Sequence, residues 1–262
     1  MNILDTIIEH KLTEIESRKR DIKLSTLYAT EWFGRTSHSL LMSVTNKPKF
    51  SIIAELKRSS PSAGEMNTMP APEIYAQEYQ ENGAAAISVL TDSVFFKGNL
   101  SDLENVRRSV SIPLLQKEFI IDEYQIAEAR AYGADAILLI VRILDRIQID
   151  EYFEVARAYG MECLVEIYDE KDIDKINFDK IKLVGVNNRD LRTMEIDINR
   201  TPRIAELLPS GCVIISESGI QSVDDLRLLK SHGIFAALIG ELFMKSGNPG
   251  ENLSRLLTQI NA

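Results

Sequence analysis

The 262-residue sequence is poor in cysteine and histidine, and each shortage excludes a class of chemistry. Its two cysteines, Cys163 and Cys212, fall in strand-like apolar segments, so we expect reduced side chains without a disulfide framework or a catalytic thiol. None of the three histidines ends an apolar strand, which argues against zinc binding or histidine-based acid–base catalysis. The sequence therefore predicts a protein that binds no metal.

Long apolar runs and excess positive charge are also missing. The longest apolar run, Ala136–Val141, is far too short to cross a bilayer, and Asp5 and Glu9 interrupt any signal-peptide core. A formal net charge of −9 argues against broad nucleic-acid binding and against a basic membrane-binding surface. We therefore expect a cytoplasmic protein, monomeric or weakly self-associating, that binds neither nucleic acid nor membranes.

The first 46 residues differ in pattern from the rest of the chain. They carry apolar residues at helical spacing, with charges between them: Ile3, Leu4, Ile7, Ile8, Leu12 and Ile15. This pattern predicts a helical extension over residues 1–46 that packs on the unit formed by residues 47–262. We expect the two parts to form a single domain.

From residue 49 onward, short apolar strands alternate with amphipathic helices. The predicted strands are 51–57, 85–90, 112–118, 134–140, 161–167, 181–187, 212–217 and 235–239. Helices are predicted between them, including 71–82, 100–109, 123–132, 149–159 and 223–231. Continuously apolar strands that alternate with helices indicate a parallel sheet covered on both faces. Eight such units in this length are typical of a (β/α)8 TIM barrel. A doubly wound sheet is the alternative, but no glycine-rich nucleotide-binding motif follows any strand.

Polar residues cluster where the predicted strands end. In a barrel of this type the active site forms at the C-terminal ends of the strands. The polar residues at those ends are Glu55, Lys57, Lys117, Glu166, Asn187, Arg189, Glu217 and Ser218. Because alternate strands contribute side chains to the same interior layer, Lys57, Lys117, Glu166 and Glu217 are predicted to share one layer. A purely structural set of ion pairs is the alternative, and the clustering favours function. Gln116 and Glu118 should point away from Lys117.

The loops after the last two strands have the features of an anion site. Gly219 and Gly240 follow strands 7 and 8, and Ser222 with Asp225 forms a helix-capping motif. Backbone amides at helix N-termini bind phosphate, and these two barrel loops often do so. Glycines that only permit tight turns are the alternative. Together the two loops favour a phosphorylated substrate.

Several segments resemble the indole-3-glycerol phosphate synthase family. Residues 53–64 match its first-strand pattern I-A-E-[IVL]-K-R-x-S-P-S-x-G. Further similar segments follow in order: 115–122, 133–140, 164–166, 185–191, 216–220 and 238–241. The N-terminal Ile3–Glu9 also resembles the extra helices of that family. The resemblance covers nearly the whole chain. Departures are Gln116 for a usual Arg, Glu118 for a usual Asp, and Leu242 where a small residue is common.

The resemblance implies a decarboxylating ring closure in tryptophan biosynthesis, without metal or cofactor. The anionic sugar-phosphate substrate would be 1-(2-carboxyphenylamino)-1-deoxyribulose 5-phosphate, and the products indole-3-glycerol phosphate, CO₂ and water. By resemblance, Lys117 is the general acid on the ribulose carbonyl, and Glu166 is the acid/base or iminium-stabilising carboxylate. Lys57 would hold the anionic substrate and its phosphate and assist loss of hydroxide. Burial and neighbouring charges are expected to tune the Lys117 ammonium towards working pH.

The resemblance also assigns supporting roles to the remaining positions. The residues that position the carboxyanilino group and support the lysines are Glu55, Asn187, Arg189, Glu217 and Ser60, with Ser218 as a further substrate contact. Those that bind phosphate are Gly219, Gly240 and the backbone of Glu241. Those that form apolar walls for the aryl ring are Phe96, Phe119 and Leu191.

Three other functions fit parts of the pattern. A strand-end lysine also occurs in Schiff-base lyases and aldolases, which borohydride trapping on Lys117 would reveal. The isomerase that makes this substrate is a further candidate, but it is expected to use Cys and Asp, and Cys163 and Cys212 lie mid-strand or at a strand start. A catalytically silent interaction protein is the third, and it leaves the shared retention of the strand-end charges unexplained.

Overall fold

A computed structural model of the chain describes residues 3–46, 48–60, 64–65, 71–190, 192–244 and 248–262, with the backbone alone at 60, 64 and 65. In these ranges eight parallel strands close into a barrel in sequence order, and the last pairs with the first through Ser51 and Ala236. The predicted (β/α)8 barrel is therefore confirmed. The strands are β1 Ser51–Leu56, β2 Ala86–Leu90, β3 Leu114–Lys117, β4 Ala136–Ile140, β5 Glu162–Ile167, β6 Leu183–Asn187, β7 Val213–Glu217 and β8 Ala236–Ile239.

Helices precede the barrel and alternate with its strands. Those in the described ranges are α1 Ile3–Asp21, α2 Leu24–Tyr28, α3 Leu40–Val44, α4 Pro72–Glu81, α5 Leu100–Ser109, α6 Glu123–Ala131, α7 Arg146–Ala158, α8 Glu170–Ile173, α9 Arg200–Ala205, α10 Val223–Ser231, α11 Glu241–Met244 and α12 Pro249–Asn261. The predicted start of α7 at residue 149 is three residues late, because Asp145 and Gln148 form a capping box that begins the helix earlier. Among the helices in these ranges, none combines the length and apolar character needed to span a bilayer.

The strands separate two apolar layers. Along β1, Ile52 and Ala54 pack outward against the helices, whereas Ile53 faces the barrel interior. This alternation follows from the two-residue period of a strand. The N-terminal helices extend the inner layer, since α1 contributes Leu4 and Ile7 and α3 contributes Leu40 and Val44. The helical extension thus packs against the barrel, as its periodicity predicts.

A buried aspartate joins the extension to the barrel wall. The Asp135 carboxylate is fully buried and accepts hydrogen bonds from Arg35 Nη2 at 2.7 Å and the His38 amide at 2.7 Å. On the barrel side it accepts from Arg107 Nη1 at 2.8 Å and the Leu114 amide at 2.9 Å. Two guanidinium groups balance its charge, so burial of this carboxylate is compensated.

We expect Asp135→Asn to lower the free energy of unfolding by about 2 kcal/mol, because an amide offers one acceptor oxygen and turns its NH₂ towards buried donors. Urea denaturation of the variant and the wild-type protein measures this change. Asp224→Asn is the matched control, because Asp224 pairs with Arg227 on the surface of α10 and should change stability by less than about 0.5 kcal/mol. Equal stability losses in the two variants would show that Asp135 contributes no more to stability than a surface aspartate.

Candidate active site

One cavity of about 590 Å³ lies at the C-terminal ends of the strands. Most of the residues predicted for the site line it: Glu55, Lys57, Phe96, Lys117, Phe119, Glu166, Asn187, Arg189, Ser218, Gly219, Gly240 and Glu241. Glu217 is fully buried and makes an ion pair with one of the lining lysines. The side chain of Ser60 and all of Leu191 lie outside the described residues. Residues far apart in sequence therefore meet at one mouth of the barrel.

Two ammonium groups and two carboxylates form a chain of contacts on the cavity wall. Lys57 Nζ lies 2.7 Å from Glu55 Oε1, and Lys117 Nζ lies 3.5 Å from Glu55 Oε2. Lys117 Nζ also lies 2.6 Å from Glu217 Oε2. Glu55 thus connects the two lysines, and strands β1, β3 and β7 contribute to one charged layer, as the alternation of strands predicts.

These contacts set the protonation states of Glu55 and Lys117. Burial opposes ionisation of Glu55, but the ammonium groups of Lys57 and Lys117 outweigh it and lower its pKa to about 2. Burial would lower the pKa of Lys117, yet the carboxylates of Glu217, Glu55 and Glu166 outweigh it and raise that pKa. The expectation that burial and neighbouring charges tune the Lys117 ammonium towards working pH is therefore wrong, because its pKa is raised. Lys117 is held as an ammonium ion.

Glu166 has the opposite character. Burial raises its pKa, the neighbouring Glu217 raises it further, and together they bring it to about 8. The Lys117 ammonium and a hydrogen bond from Asn187 oppose this shift without cancelling it. At neutral pH Glu166 is therefore mainly the neutral acid, and it shares the cavity with the Lys117 ammonium group.

The loop after β7 contributes two residues with left-handed backbone to the cavity wall. Ser218 and Gly219 both adopt left-handed backbone conformations, with φ of 65° and 82°. Both residues line the cavity and lie shortly before the start of α10, and backbone amides near a helix N-terminus can bind an anion. Ser222 then caps α10 in a capping box with Asp225, as its spacing predicts. A Cβ at residue 219 would lie 2.4 Å from Ile196 Cγ2, so the position requires glycine on two grounds.

Gly240 is needed for a reason that the sequence does not reveal. A Cβ at this position would lie 2.8 Å from Glu55 Oε1 and 2.9 Å from Glu55 Cβ. The glycine therefore makes room for the carboxylate that connects the two lysines, besides preceding α11. Near this end of the cavity, Arg189 Nη2 lies 3.4 Å from Glu241 Oε2.

The opposite part of the cavity wall is apolar. The rings of Phe96 and Phe119 lie 6.1 Å apart at an angle of 36°. Ile3, Leu4 and Ile7 of α1 also line the cavity. The sequence predicts packing for these three residues but not a place at the mouth, because helical periodicity shows which side of a helix is buried and not against what. The extension is therefore part of the site.

A buried lysine fastens α1 next to these aromatic walls. Lys11 is fully buried, with Nζ 2.9 Å from Asp92 Oδ2 and 3.1 Å from Glu118 Oε1. Asp92 accepts from the amides of Phe95 and Phe96, which shapes the turn that carries Phe96. Glu118 thus contacts Lys11 and Thr91, and it also lines the cavity. Nothing in the helical spacing distinguishes Lys11 from a surface lysine, so the sequence did not indicate this contact.

Within the described ranges, no group of three or more His, Cys, Asp or Glu side chains could hold a metal ion. The two cysteines are free, with Cys163 buried in β5 and Cys212 half-buried just before β7.

Comparison with known proteins gives a consistent result. The family model described as indole-3-glycerol phosphate synthase matches residues 4–256. An indole-3-glycerol phosphate synthase of Salinibacter ruber is 42% identical over 257 residues, which is 98% of this chain and 95% of the relative. Proteins of the same name are similar in Desulfotalea psychrophila, at 42% identity over 97% of this chain and 98% of the relative, and in Mycobacterium avium, at 40% over 98% and 94%.

Proposed function

The chain belongs to the indole-3-glycerol phosphate synthase family, and we propose from this premise that it closes the indole ring of 1-(2-carboxyphenylamino)-1-deoxyribulose 5-phosphate. The reaction yields indole-3-glycerol phosphate, CO₂ and water, and it serves tryptophan biosynthesis. One observation carries the proposal: the same cavity is lined by aromatic side chains, by the glycine loops after β7 and β8, and by Lys117 together with the neutral acid Glu166.

The cavity offers complementary places for the two ends of this substrate. The phosphate fits the amides of Ser218, Gly219 and the Gly240–Glu241 turn, with the Lys57 ammonium as counter-charge. The aryl ring fits against Phe96 and Phe119, where apolar contact and aromatic packing favour a flat group. Four further residues orient the carboxylate and the sugar chain: Glu55, Asn187, Arg189 and Glu217. We also expect Ser60 to contact the carboxyanilino group and Leu191 to contact the aryl ring.

Lys117 acts in the first step, in which the aryl carbon that bears the carboxylate attacks the ribulose carbonyl. The carbon–carbon bond forms as the carbonyl π pair moves onto oxygen, and Lys117 donates a proton to that oxygen. Its raised pKa does not prevent this transfer, because an alkoxide is far more basic than an amine. Before attack, the same ammonium polarises the carbonyl as a hydrogen-bond donor. Glu55 and Glu217 hold it in place.

Carboxylates act in the later steps. Attack leaves a positive iminium-like ring, which the neighbouring Glu217 carboxylate stabilises. Loss of CO₂ returns its bonding pair to the ring, and Glu166 then gives a proton to the departing hydroxyl group, with Lys57 assisting. Loss of a proton from the new ring completes the aromatic indole. One CO₂ and one water leave, and no electrons are exchanged with a cofactor.

The protonation of Lys117 argues against a Schiff-base mechanism. An amine must be neutral to attack a carbonyl, and three carboxylates raise the pKa of this one. Borohydride added during turnover should therefore leave Lys117 unmodified, as judged by peptide mass spectrometry, while indole formation continues. A trapped substrate adduct on Lys117 would favour a lyase or aldolase. Burial raises the pKa of Cys163, which makes a thiol-dependent isomerase a poorer fit.

The direct test is an indole assay. The purified protein incubated with the carboxyphenylamino sugar phosphate should develop indole absorbance and fluorescence and release CO₂ in equal amount. Folded protein that forms no indole product would overturn the proposal.

Gly219→Ala should raise KM about tenfold and leave kcat nearly unchanged, because the added methyl disturbs an amide that contacts phosphate in both ground and transition state. Steady-state kinetics separate the two constants, and competition by inorganic phosphate should weaken in parallel. Gly211→Ala is the matched control, because Gly211 also has a positive φ, of 97°, and its added Cβ would meet no atom within 4 Å. A similar rise in KM in the control would argue against a phosphate role for residue 219.

We also propose that the chain works as a single cytoplasmic domain, monomeric or weakly associated, without a cofactor. The redox-neutral chemistry supports the absence of a cofactor, because ring closure needs no electron acceptor. The position of α1 in the cavity wall supports a single domain, since the extension and the barrel contribute to the same site.

A further inference from the structure

An aromatic ring lies between two guanidinium groups immediately behind the site. The Cζ atoms of Arg142 and Arg200 lie 3.7 and 3.8 Å from the ring centre of Tyr168. Two guanidinium groups this close to one ring centre must occupy opposite faces, so the three side chains form a stack. None of the three has a part in the chemistry above.

Acidic side chains bind the members of the stack and fix their positions relative to one another. The Tyr168 hydroxyl donates to Asp190 Oδ2 at 2.8 Å and accepts from Arg200 Nη2 at 2.6 Å. Arg142 lies 3.0 Å from Asp169 and 3.5 Å from Asp190. Because the charges are paired and both faces of the ring are covered, the three side chains have defined positions.

The stack reaches the site through the end of β6. Arg200 Nη1 donates to the backbone carbonyl oxygens of Asn188 and Asn187. Arg142 and Tyr168 share a small second cavity, of about 10 Å³, with Glu166 and Asn187. The last peptides of β6, which carry Asn187 into the site, are therefore held by a guanidinium that Tyr168 in turn holds.

We propose that Tyr168 and Arg200 are positioning residues that place the Asn187 side chain against Glu166. The inference rests on the proposed function, because it gives the stack a role in that same site. Asn187 is the last residue of β6, where it pairs with Glu217 of β7, and an irregular loop follows it. The Arg200 guanidinium binds the carbonyl groups at this point, where the strand pairing ends. A displacement of about 1 Å at a catalytic contact can cost up to about a hundredfold in rate.

Tyr168→Leu and Arg200→Met should lower kcat about tenfold and leave KM for the sugar phosphate nearly unchanged. Tyr168→Phe keeps the ring and should retain more activity than Tyr168→Leu. Arg192→Met is the matched control, because Arg192 also contacts Asp190, at 3.3 Å, but lies outside the stack. It should behave like the wild-type enzyme.

A double-mutant cycle with Asn187→Ala shows whether the stack acts through Asn187. If it does, Tyr168→Leu causes no further loss of kcat in the Asn187→Ala background. The pH profile gives a second readout. Asn187 favours the ionised form of Glu166, which also faces Glu217 and Lys117. Displacing Asn187 should therefore move the alkaline limb of kcat/KM to higher pH.

Three outcomes would overturn the inference: wild-type kcat in Tyr168→Leu, an equal loss in Arg192→Met, or fully additive losses with an unmoved pH limb. The last would mean that the stack only stabilises the fold, which thermal denaturation would register as a lowered Tm. Failure of the proposed function is distinct from all three, because the wild-type protein would then form no indole product.

Discussion

Lys117→Ala should lower kcat by a factor of about 10² to 10⁴, the range expected for loss of a positioned general acid. The variant lacks both the ammonium that polarises the ribulose carbonyl and the proton that the new alkoxide receives. KM should change much less, because the phosphate and aryl ends of the cavity remain. Steady-state kinetics by indole fluorescence measure both constants.

Removal of Lys117 also leaves Glu217 buried without its closest cation, which endangers the fold. Lys117→Arg addresses this problem, because it keeps the positive charge beside Glu217 and Glu55 and changes the proton donor. It should fold with near wild-type stability and still lose most of its turnover. Lys19→Ala is the surface control, since Lys19 pairs with Asp122 on the outside of the barrel. Turnover of Lys117→Ala close to that of Lys19→Ala would remove Lys117 from its role.

Glu166→Gln should lower kcat about a hundredfold and abolish the alkaline limb of the kcat/KM profile. In the proposed mechanism the neutral form of Glu166 supplies the proton that the departing hydroxyl group needs. Its pKa of about 8 means that activity falls as pH rises through this value. Glutamine keeps the shape of the neutral acid but has no proton to give. An effect on KM alone would instead make Glu166 a binding residue.

The raised pKa of Glu166 should also make the stability of the folded protein depend on pH. The folded-state pKa of Glu166 is about 8 and its ordinary value is 4.5, so the folded protein binds this proton more tightly. The resulting stabilisation is fully present below pH 4.5 and is lost as pH rises through 8. Denaturation at pH 6 and pH 9 should therefore show a smaller decrease in Glu166→Gln than in the wild-type protein. Glu206→Gln, at an exposed position, should follow the wild type.

The fold was predictable because its signals are local and repeated. Apolar strands, amphipathic helices and closing glycines recur along the chain, and each reports the conformation of its own segment. The strand-end side chains were predictable for a related reason: once the barrel is assumed, the C-terminal ends of its strands must meet. Glu55 and Lys117 could thus be assigned to one site from sequence.

Other features depended on partners that no local pattern names. Lys11 has the spacing of a surface lysine, yet it is buried against Asp92 and Glu118. Gly240 suggests a tight turn, yet it also accommodates the side chain of Glu55. In both cases the deciding neighbour comes from a distant segment of the chain.

The sequence by itself determined the closed barrel and the set of charged side chains at its mouth, together with the two glycine loops that we propose bind phosphate, because periodicity and strand ends are properties of single segments. Only the tertiary structure decided the protonation of those side chains. Burial and the neighbouring Glu217 raise the pKa of Glu166, whereas carboxylates from other strands outweigh burial and raise the pKa of Lys117. The strength of such electrostatic interactions depends on distance and burial, and neither exists until the chain has folded.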